Sequence, residues 1–193
     1  MEKIMISQEV LNEVRNYRIN AGRKQFKESF YQEYKKMFLI KLSGVNLPIE
    51  RYLTLMPGQS YGPIMERFFI RYNNCKKVPA SMDRGDFKTP QGVCGEHKFS
   101  FAHKRGNYKF NFVQIRPWQL LDHYIFEVYQ EGAGFFRFKV PHDEVLRMID
   151  SYGGLAHGTI ATNTNENKEY ALRGTVGGEL WVKLMKYCVK QPK

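Results

Sequence analysis

The sequence predicts an α/β (α+β) domain in which helices flank a mixed central sheet. Apolar residues recur at helical spacing before residue 75, strand-like runs dominate residues 86–141, and helical spacing returns from residue 142. Helices on either side of a run of strands are typical of an α+β domain. A chain of 193 residues can bury one sizeable core. We therefore predict a single domain over residues 1–193.

Three helices are predicted in the N-terminal part of the chain. Ser7 precedes QEVLNEVRNY at the position of a helix cap, a second helix spans about Lys24 to Leu42, and a third begins near Pro63 in YGPIMERFFIRYNN. The second helix carries an aromatic residue at every fourth position: Phe26, Phe30, Tyr34 and Phe38. Such a stripe is typical of a buried core or of a helix–helix dimer surface. The intervening segment NLPIERYLTLMPGQS is expected to form a helical turn and a loop.

Strand patterns follow a basic loop. They cover residues 86–88, 93–102 and 108–115, then HYIFEVYQ, and then FFRFKV after a hairpin turn at residues 131–134. Pro117 is expected to start a short helix, PWQLLD. His142 or Asp143 is expected to cap a further helix that ends at Gly153. The C-terminal segment ELWVKLMKYCVK fits a helix or a strand.

Two classes of protein are disfavoured by simple counts. The chain has no run of 18 apolar residues, and its N-terminus, MEKIMISQEV, is too polar for a secretory signal, so neither membrane insertion nor export is indicated. The cysteines are three in number and scattered, at Cys75, Cys94 and Cys188, which argues against a disulfide framework or a zinc finger. We expect a cytoplasmic protein with reduced thiols.

Basic charge is the most informative bulk property of the chain. Lys and Arg number 30 against 19 Asp and Glu, which gives a net charge of +11 and a pI near 9.5. The excess is concentrated in residues 66–110, which hold ten basic and four acidic residues. This balance favours a polyanionic partner, although a solvated surface that keeps the protein in solution is the alternative.

The stretch GDFKTPQGVCGEHKFSF places acids on both sides of a turn. In the strand after the turn, Glu96 and Lys98 share one face, while His97, Phe99 and Phe101 line the other. Asp86 and Glu96 supply the oxygen ligands that Mg²⁺ prefers, and Lys98 is placed to orient a water molecule. The alternative is a set of cross-strand salt bridges on an exposed sheet face. The apolar flanks of this strand favour a central position and a functional site.

These residues resemble the motif of the PD-(D/E)XK nucleases: GD at Gly85 and Asp86, then ExK at Glu96 and Lys98. The length, basicity and preceding helix resemble type II restriction endonucleases. In that family, Pro often precedes the first acid. Here Gly85 does, and Asp83 competes with Asp86 for the role. The resemblance covers roughly residues 60–130.

The resemblance implies a restriction-endonuclease-like fold, with the Asp and the ExK motif on adjacent central strands. It further implies that Asp86 and Glu96 hold Mg²⁺, that Lys98 orients the attacking water, and that Glu66, on the preceding helix, supports the metal. The activity implied is site-specific hydrolysis of double-stranded DNA in restriction–modification. A homodimer would place one centre on each strand of a palindrome. The helical region of about residues 1–57 would then serve dimerisation or contact with DNA. For Glu66, the alternative is an acid that stabilises the start of its helix.

Loops flanking the acids are rich in basic residues that are expected to contact DNA phosphates: Lys76, Lys77, Arg84, Lys104 and Arg105. Two alternative functions remain. One is a DNA repair or phage nuclease of the same fold. The other is a non-catalytic nucleic-acid-binding protein in which aromatic residues stack on bases, namely Phe99, Phe101, Tyr108, Phe110 and Phe112.

Further candidate residues carry weaker signals. Gln114 and Trp118 resemble the QxxxY helix of some exonuclease-like relatives. Pro117, however, puts Gln114 before the helix rather than on it, so Gln114 is expected at most to surround the site without contacting the metal. Cys94 has no evident base partner and is expected to be a buried thiol rather than a nucleophile. The five histidines share no metal-ligand spacing.

Overall fold

The computed structural model describes residues 12, 16, 24–39, 47–56, 58–79, 81–156 and 168–189. In this part of the chain the protein is a mixed α/β structure with a five-stranded sheet, a three-stranded sheet and five helices longer than one turn. The predicted fold class is therefore confirmed at the level of mixed α/β.

The helices are α1 (Lys24–Leu39), α2 (Leu47–Leu55), α3 (Tyr61–Tyr72), α4 (His142–Tyr152) and α5 (Glu179–Met185), with 3₁₀ turns at Gly58–Ser60 and Lys104–Gly106. The strands are β1 (Lys76–Lys77), β2 (Phe87–Lys88), β3 (Cys94–Ala102), β4 (Lys109–Ile115), β5 (His123–Gln130), β6 (Gly134–Pro141), β7 (Gly153–Leu155) and β8 (Tyr170–Thr175). The helices thus precede, interrupt and follow the strands, as the sequence predicts.

The five-stranded sheet has the order β1-β2-β3-β5-β6. Strands β3 and β5 are parallel, with Glu96 beside Tyr124, and the other pairs are antiparallel. The predicted hairpin after β5 is confirmed by the antiparallel pairing of β5 with β6. Strand β3, which carries the ExK motif, is the middle strand. The sequence-based expectation of a central strand is therefore confirmed.

The second sheet has the order β4-β8-β7 and is antiparallel. The sequence predicts its strand β4, at residues 108–115, but not β7 or β8, because β7 has only three residues and β8 lacks a clear alternating pattern. The sheet shares a core with one face of β5, where Phe112 lies 4.5 Å from Phe126 between ring centroids. The amide of Asn111 on β4 donates to Oγ of Ser100 on β3 at 3.0 Å. Sheet β4-β8-β7 therefore covers the face that carries Glu96 and Lys98.

Helices α1, α2 and α3 cover the opposite face. Phe30 and Tyr34 of the aromatic stripe are fully buried, in a cluster with Phe68 of α3 and with Phe99 and Phe101 of β3. Of the two predicted roles for the stripe, burial in the core is confirmed for these two residues. The sheet therefore lies between a helical layer and a layer built from the second sheet with α4 and α5.

Several helix predictions are confirmed, with changed bounds. Helix α1 is described over Lys24–Leu39, within the predicted span, and the predicted helical turn after it is the nine-residue helix α2. The helix predicted after Ser7 lies outside the described residues except Asn12 and Asn16, which are helical. The C-terminal alternative is resolved as helix α5, which buries Leu180, Trp181 and Leu184.

One helix prediction and one cap prediction are wrong. Residues 117–122 form turns rather than a helix, because the amide of Leu120 donates to the carbonyl of Asp83 at 2.7 Å instead of to its own turn. At the start of α4 the cap residue is Pro141, and neither predicted capping side chain makes a cap hydrogen bond. Gly153 does end α4, as predicted.

The structure bears on the expectations about membrane-spanning helices and about the cysteines. Within the described ranges, no helix has the length and apolarity needed to span a bilayer. The three cysteines are free thiols, and Cys94 is buried, as expected.

Candidate metal centre

Two glycines bring the acids of the motif together. Gly85 has a φ of +76°, and a Cβ there would lie 2.5 Å from the carbonyl oxygen of Gly95, so a larger residue would both be strained and clash. This turn lets the amide of Asp86 donate to that carbonyl at 2.9 Å. A Cβ at Gly95 would lie 2.4 Å from the Phe87 ring. The backbones of β2 and β3 therefore approach closely immediately beside Asp86 and Glu96.

Asp86 is held by the backbone of β3. Its Oδ2 accepts a hydrogen bond from the amide of His97 at 3.0 Å. The side chain is half-buried, so its remaining acceptor capacity can face a ligand. Asp83, the competing acid, is exposed on the preceding turn, and its carbonyl accepts from Leu120. The structure thus favours Asp86 over Asp83 as the partner of Glu96.

Glu96 is a nearly buried carboxylate with one paired oxygen. The residue is 2% exposed, and Nζ of Lys98 donates to its Oε1 at 2.6 Å. Its Oε2 is buried and makes no hydrogen bond to any described residue. Burial raises the pKa of Glu96, and the nearby charge of Asp86 raises it further, while Lys98 and Arg116 oppose the shift. A cation beside both carboxylates would offset burial and repulsion together.

Two residues near this pair were not predicted from the sequence. Arg116 lies close enough for its charge to lower the pKa of Glu96, and its Nε donates to Oε1 of Glu169 at 2.8 Å. The hydroxyl of Tyr124 donates to the carbonyl of Arg116 at 3.3 Å, and burial together with the charges of Glu96 and Asp86 raises the pKa of this phenol. The sequence holds no signal for either neighbour, because both approach Glu96 from distant parts of the chain: Arg116 follows β4, and Tyr124 lies on β5.

Behind the motif, on the helical face, lies a buried polar network. The Nε2 atom of His97 is 3.0 Å from Oε2 of Glu127, a residue with no exposed surface. Nε of Arg137 donates to the other carboxylate oxygen at 2.7 Å, and the Tyr34 hydroxyl donates to that oxygen at 3.2 Å. Burial alone would raise the pKa of Glu127, but Arg137 and His97 lower it to about 2. The network connects α1 with β3, β5 and β6 on the face of the sheet opposite Glu96 and Lys98.

Glu66 is not brought to the pair. Its Oε1 lies 3.1 Å from Nζ of Lys77, which pairs in register with Phe87. The Phe87 ring packs on Phe69 of α3, so this ion pair lies on the helical face, opposite Glu96. Glu66 also lies beyond the first turn of α3, so the helix-dipole interpretation does not apply to it either. Both sequence-based interpretations of Glu66 lack support here.

The predicted phosphate contacts are all exposed and lie at three places in the fold. Arg84 lies two residues before Asp86, and Lys76 and Lys77 form the edge strand β1. Lys104 and Arg105 lie in a 3₁₀ turn beyond the far end of β3, whose last residue is six positions from Glu96, which corresponds to roughly 20 Å along an extended strand.

The aromatic residues offered for base stacking are mostly structural. Phe99, Phe101, Phe110 and Phe112 are buried, at 9% exposure or less, and Tyr108 is half-buried. The buried rings among them are therefore not accessible for stacking on the bases of a nucleic acid.

Gln114 and Trp118, the weaker candidates, lie outside any helix. Gln114 is exposed on β4 at a register irregularity and has a φ of 55°. Trp118 lies in the turns that replace the predicted helix.

The donor set fits a hard divalent cation. Within the described ranges, no group of three or more His, Cys, Asp or Glu residues is placed to hold a metal ion, so the candidate protein ligands are two carboxylates. Two carboxylates, one of them with a buried unpaired oxygen, match the way proteins bind Mg²⁺, whose remaining ligands are waters and substrate phosphate. Asp86 and Glu96 are the residues that would hold it.

Comparison with known proteins adds no assignment. No protein-family model matches the chain, and none of the curated proteins matches it in sequence.

Proposed function

We propose that this protein is a Mg²⁺-dependent endonuclease that hydrolyses double-stranded DNA. The observation that carries the proposal is the geometry of Glu96: a buried carboxylate on the central strand, paired with Lys98 at 2.6 Å, beside Asp86 and with its second oxygen unpaired. A salt-bridge set on an exposed face, the structural alternative, does not account for this burial. The net charge of +11 supports a polyanionic substrate.

Each residue has a definite task in the proposed reaction. Asp86 and Glu96 hold Mg²⁺, which supplies Lewis-acid chemistry and screens the negative charge that develops on the phosphate. The ammonium group of Lys98 is fixed by Glu96, and the Lys98 side chain is 15% exposed, so the ammonium group can donate a hydrogen bond to the attacking water. Arg116 adds positive charge beside the pair. Glu66 has no role in this proposal.

The finer assignment is a type II restriction enzyme that acts as a homodimer in the cytoplasm, with a restriction-endonuclease-like fold. Its support is the order of the motif, with Asp86 immediately before β2 and ExK on the neighbouring strand β3 of one mixed sheet. A symmetric dimer would present two such centres to a palindromic site. A repair or phage nuclease would use the same chemistry without a fixed recognition sequence.

Digestion of a fully sequenced plasmid tests both levels of the proposal. Purified protein with Mg²⁺ should produce fragments, and EDTA should abolish them. Ends that map to one short palindrome identify a restriction enzyme, whereas scattered ends identify a nuclease without site specificity. Binding of the plasmid without any cleavage, over a range of divalent metals, would overturn the catalytic proposal in favour of a nucleic-acid-binding protein.

A further inference from the structure

A basic groove lies between α1 and α3, on the helical face of the protein. The groove is open to one side and has a volume of about 180 Å³. The residues that line it are Lys24, Lys27, Glu28, Ile64, Arg67, Phe68 and Arg71. Because α3 packs on the face of β3 opposite Glu96, the groove is separated from the candidate metal centre by the sheet.

Positive charge dominates this lining. Four cationic side chains face one carboxylate, so the net charge is +3 (4 − 1). That carboxylate, Glu28, accepts two hydrogen bonds from Arg71, at 2.6 and 3.1 Å. The Arg71 guanidinium also lies 3.9 Å from the ring centroid of Tyr31, which holds it in place. The acid is thus neutralised within the groove, and three cations are left to face a ligand.

The wall of the groove is apolar and fixed by the core. Ile64 and Phe68 are buried, at 9% and 6% exposure. The Phe68 ring makes an edge contact with Phe30 at 4.9 Å between centroids, so its position is set by core packing rather than by solvent. A ligand that fits must present several closely spaced negative charges with apolar surface between them.

We infer that this groove binds the sugar–phosphate backbone of a nucleic acid. Phosphates along one strand recur about every 3.4 Å of helix axis, and the sugars between them offer apolar surface. Phosphate and sugar contacts position a protein without reading sequence, which agrees with a groove that lacks amide side chains for base edges. The inference rests on the proposed function only in naming a nucleic acid as the ligand. The groove would be a second contact with that nucleic acid, separate from the metal centre.

The experiment measures binding without cleavage. Fluorescence anisotropy of a labelled 20-base-pair duplex in EDTA gives the association constant between 50 and 300 mM salt. The variant Lys27→Gln/Arg67→Gln should reduce affinity by about tenfold at 100 mM salt and lower the slope of log K against log[salt] by about two, since each lost phosphate contact removes about 0.9. Melting temperatures should be unchanged, because both charges lie at the surface of the groove.

The matched control is Lys183→Gln/Lys186→Gln, which removes two exposed lysines at the C-terminal end of α5. Equal losses in both variants would mean that only total charge matters and would overturn the inference, as would an unchanged slope in the groove variant. Competition by polyglutamate as effective as that by DNA of equal charge would overturn it in favour of an acidic protein partner. Plasmid cleavage is scored separately: a protein that binds through the groove but never cleaves loses the proposed function and keeps this site.

Discussion

The backbone amide of His97 donates a hydrogen bond of 3.0 Å to Oδ2 of Asp86. The side chain of the same residue points to the other face of the sheet, where Nε2 lies 3.0 Å from Glu127. One residue, flanked in sequence by Glu96 and Lys98, thus joins the candidate metal centre to the buried network. The position of Asp86 consequently depends on the contacts that hold β3 in place on the helical face of the sheet.

Removal of either carboxylate should abolish cleavage and leave the fold intact. We expect Asp86→Asn and Glu96→Gln to lose activity with Mg²⁺ in plasmid digestion, while circular dichroism remains that of the wild type. DNA affinity should be equal or higher, because a negative charge beside phosphate is removed. Asp83→Asn is the control and should be nearly as active as the wild type. Near-normal cleavage by Asp86→Asn or Glu96→Gln would remove that residue from the metal centre.

Lys98→Ala should slow the chemical step. A lysine that orients the attacking water acts mainly in the transition state, so the single-turnover rate should fall by roughly 10² or more with little change in DNA affinity. The measurement uses saturating enzyme and Mg²⁺ at a temperature where both proteins are folded. A rate within a few-fold of wild type would reduce Lys98 to a salt-bridge partner of Glu96.

Glu127→Gln should destabilise the protein strongly. The change leaves Arg137 buried without its carboxylate, and breaking a buried pair in this way costs about 3–5 kcal/mol. Chemical denaturation of the two proteins measures the difference. Glu50→Gln, which removes a carboxylate that accepts from the amide of Gly132 at the protein surface, is the control and should cost much less.

The same network predicts a loss of stability in acid. The folded-state pKa of Glu127 is about 2, below its ordinary value of 4.5, so its contribution is complete above pH 4.5 and is lost as the pH falls towards 2. Such a shift corresponds to something on the order of 3 kcal/mol. Denaturation profiles from pH 5 to 2 should therefore be flatter for Glu127→Gln than for the wild type. Parallel profiles would show that other carboxylates govern acid unfolding.

His123 should make the stability of the folded protein depend on pH in a higher range than Glu127 does. Burial, with a smaller contribution from Lys139, lowers its pKa from 6.5 to about 4. The unfolded chain therefore takes up a proton near pH 6.5 while the folded protein does not, and stability falls as the pH decreases from 6.5 to 4. We expect His123→Gln to remove this slope in thermal melts. A slope that persists unchanged would assign it to another group.

Some features could be predicted from sequence because they depend on local order. Alternation along β3 predicts which side chains share a face, and the buried His97 and Phe99 on one side and Glu96 on the other follow that period of two. The hairpin between β5 and β6 and the end of α4 at Gly153 follow from short patterns in the same way. Such signals need only a few neighbouring residues.

The surroundings of the candidate site were decided by tertiary structure. Arg116 and Tyr124 reach Glu96 only because the chain places β5 parallel to β3 and turns, rather than a helix, before it. Glu66, which looked correctly spaced in sequence, lies across the sheet with Lys77.

The buried network shows the same dependence on distant parts of the chain. Tyr34 meets Glu127 across a separation of 93 residues and Arg137 across 103. Along the sequence these are ordinary charged and aromatic residues. Local order places Asp86 immediately before β2 and places Glu96 and Lys98 on one face of β3. The burial of these residues, the raised pKa of Glu96 and the identity of its neighbours come from contacts between distant segments, which the packing of whole layers decides.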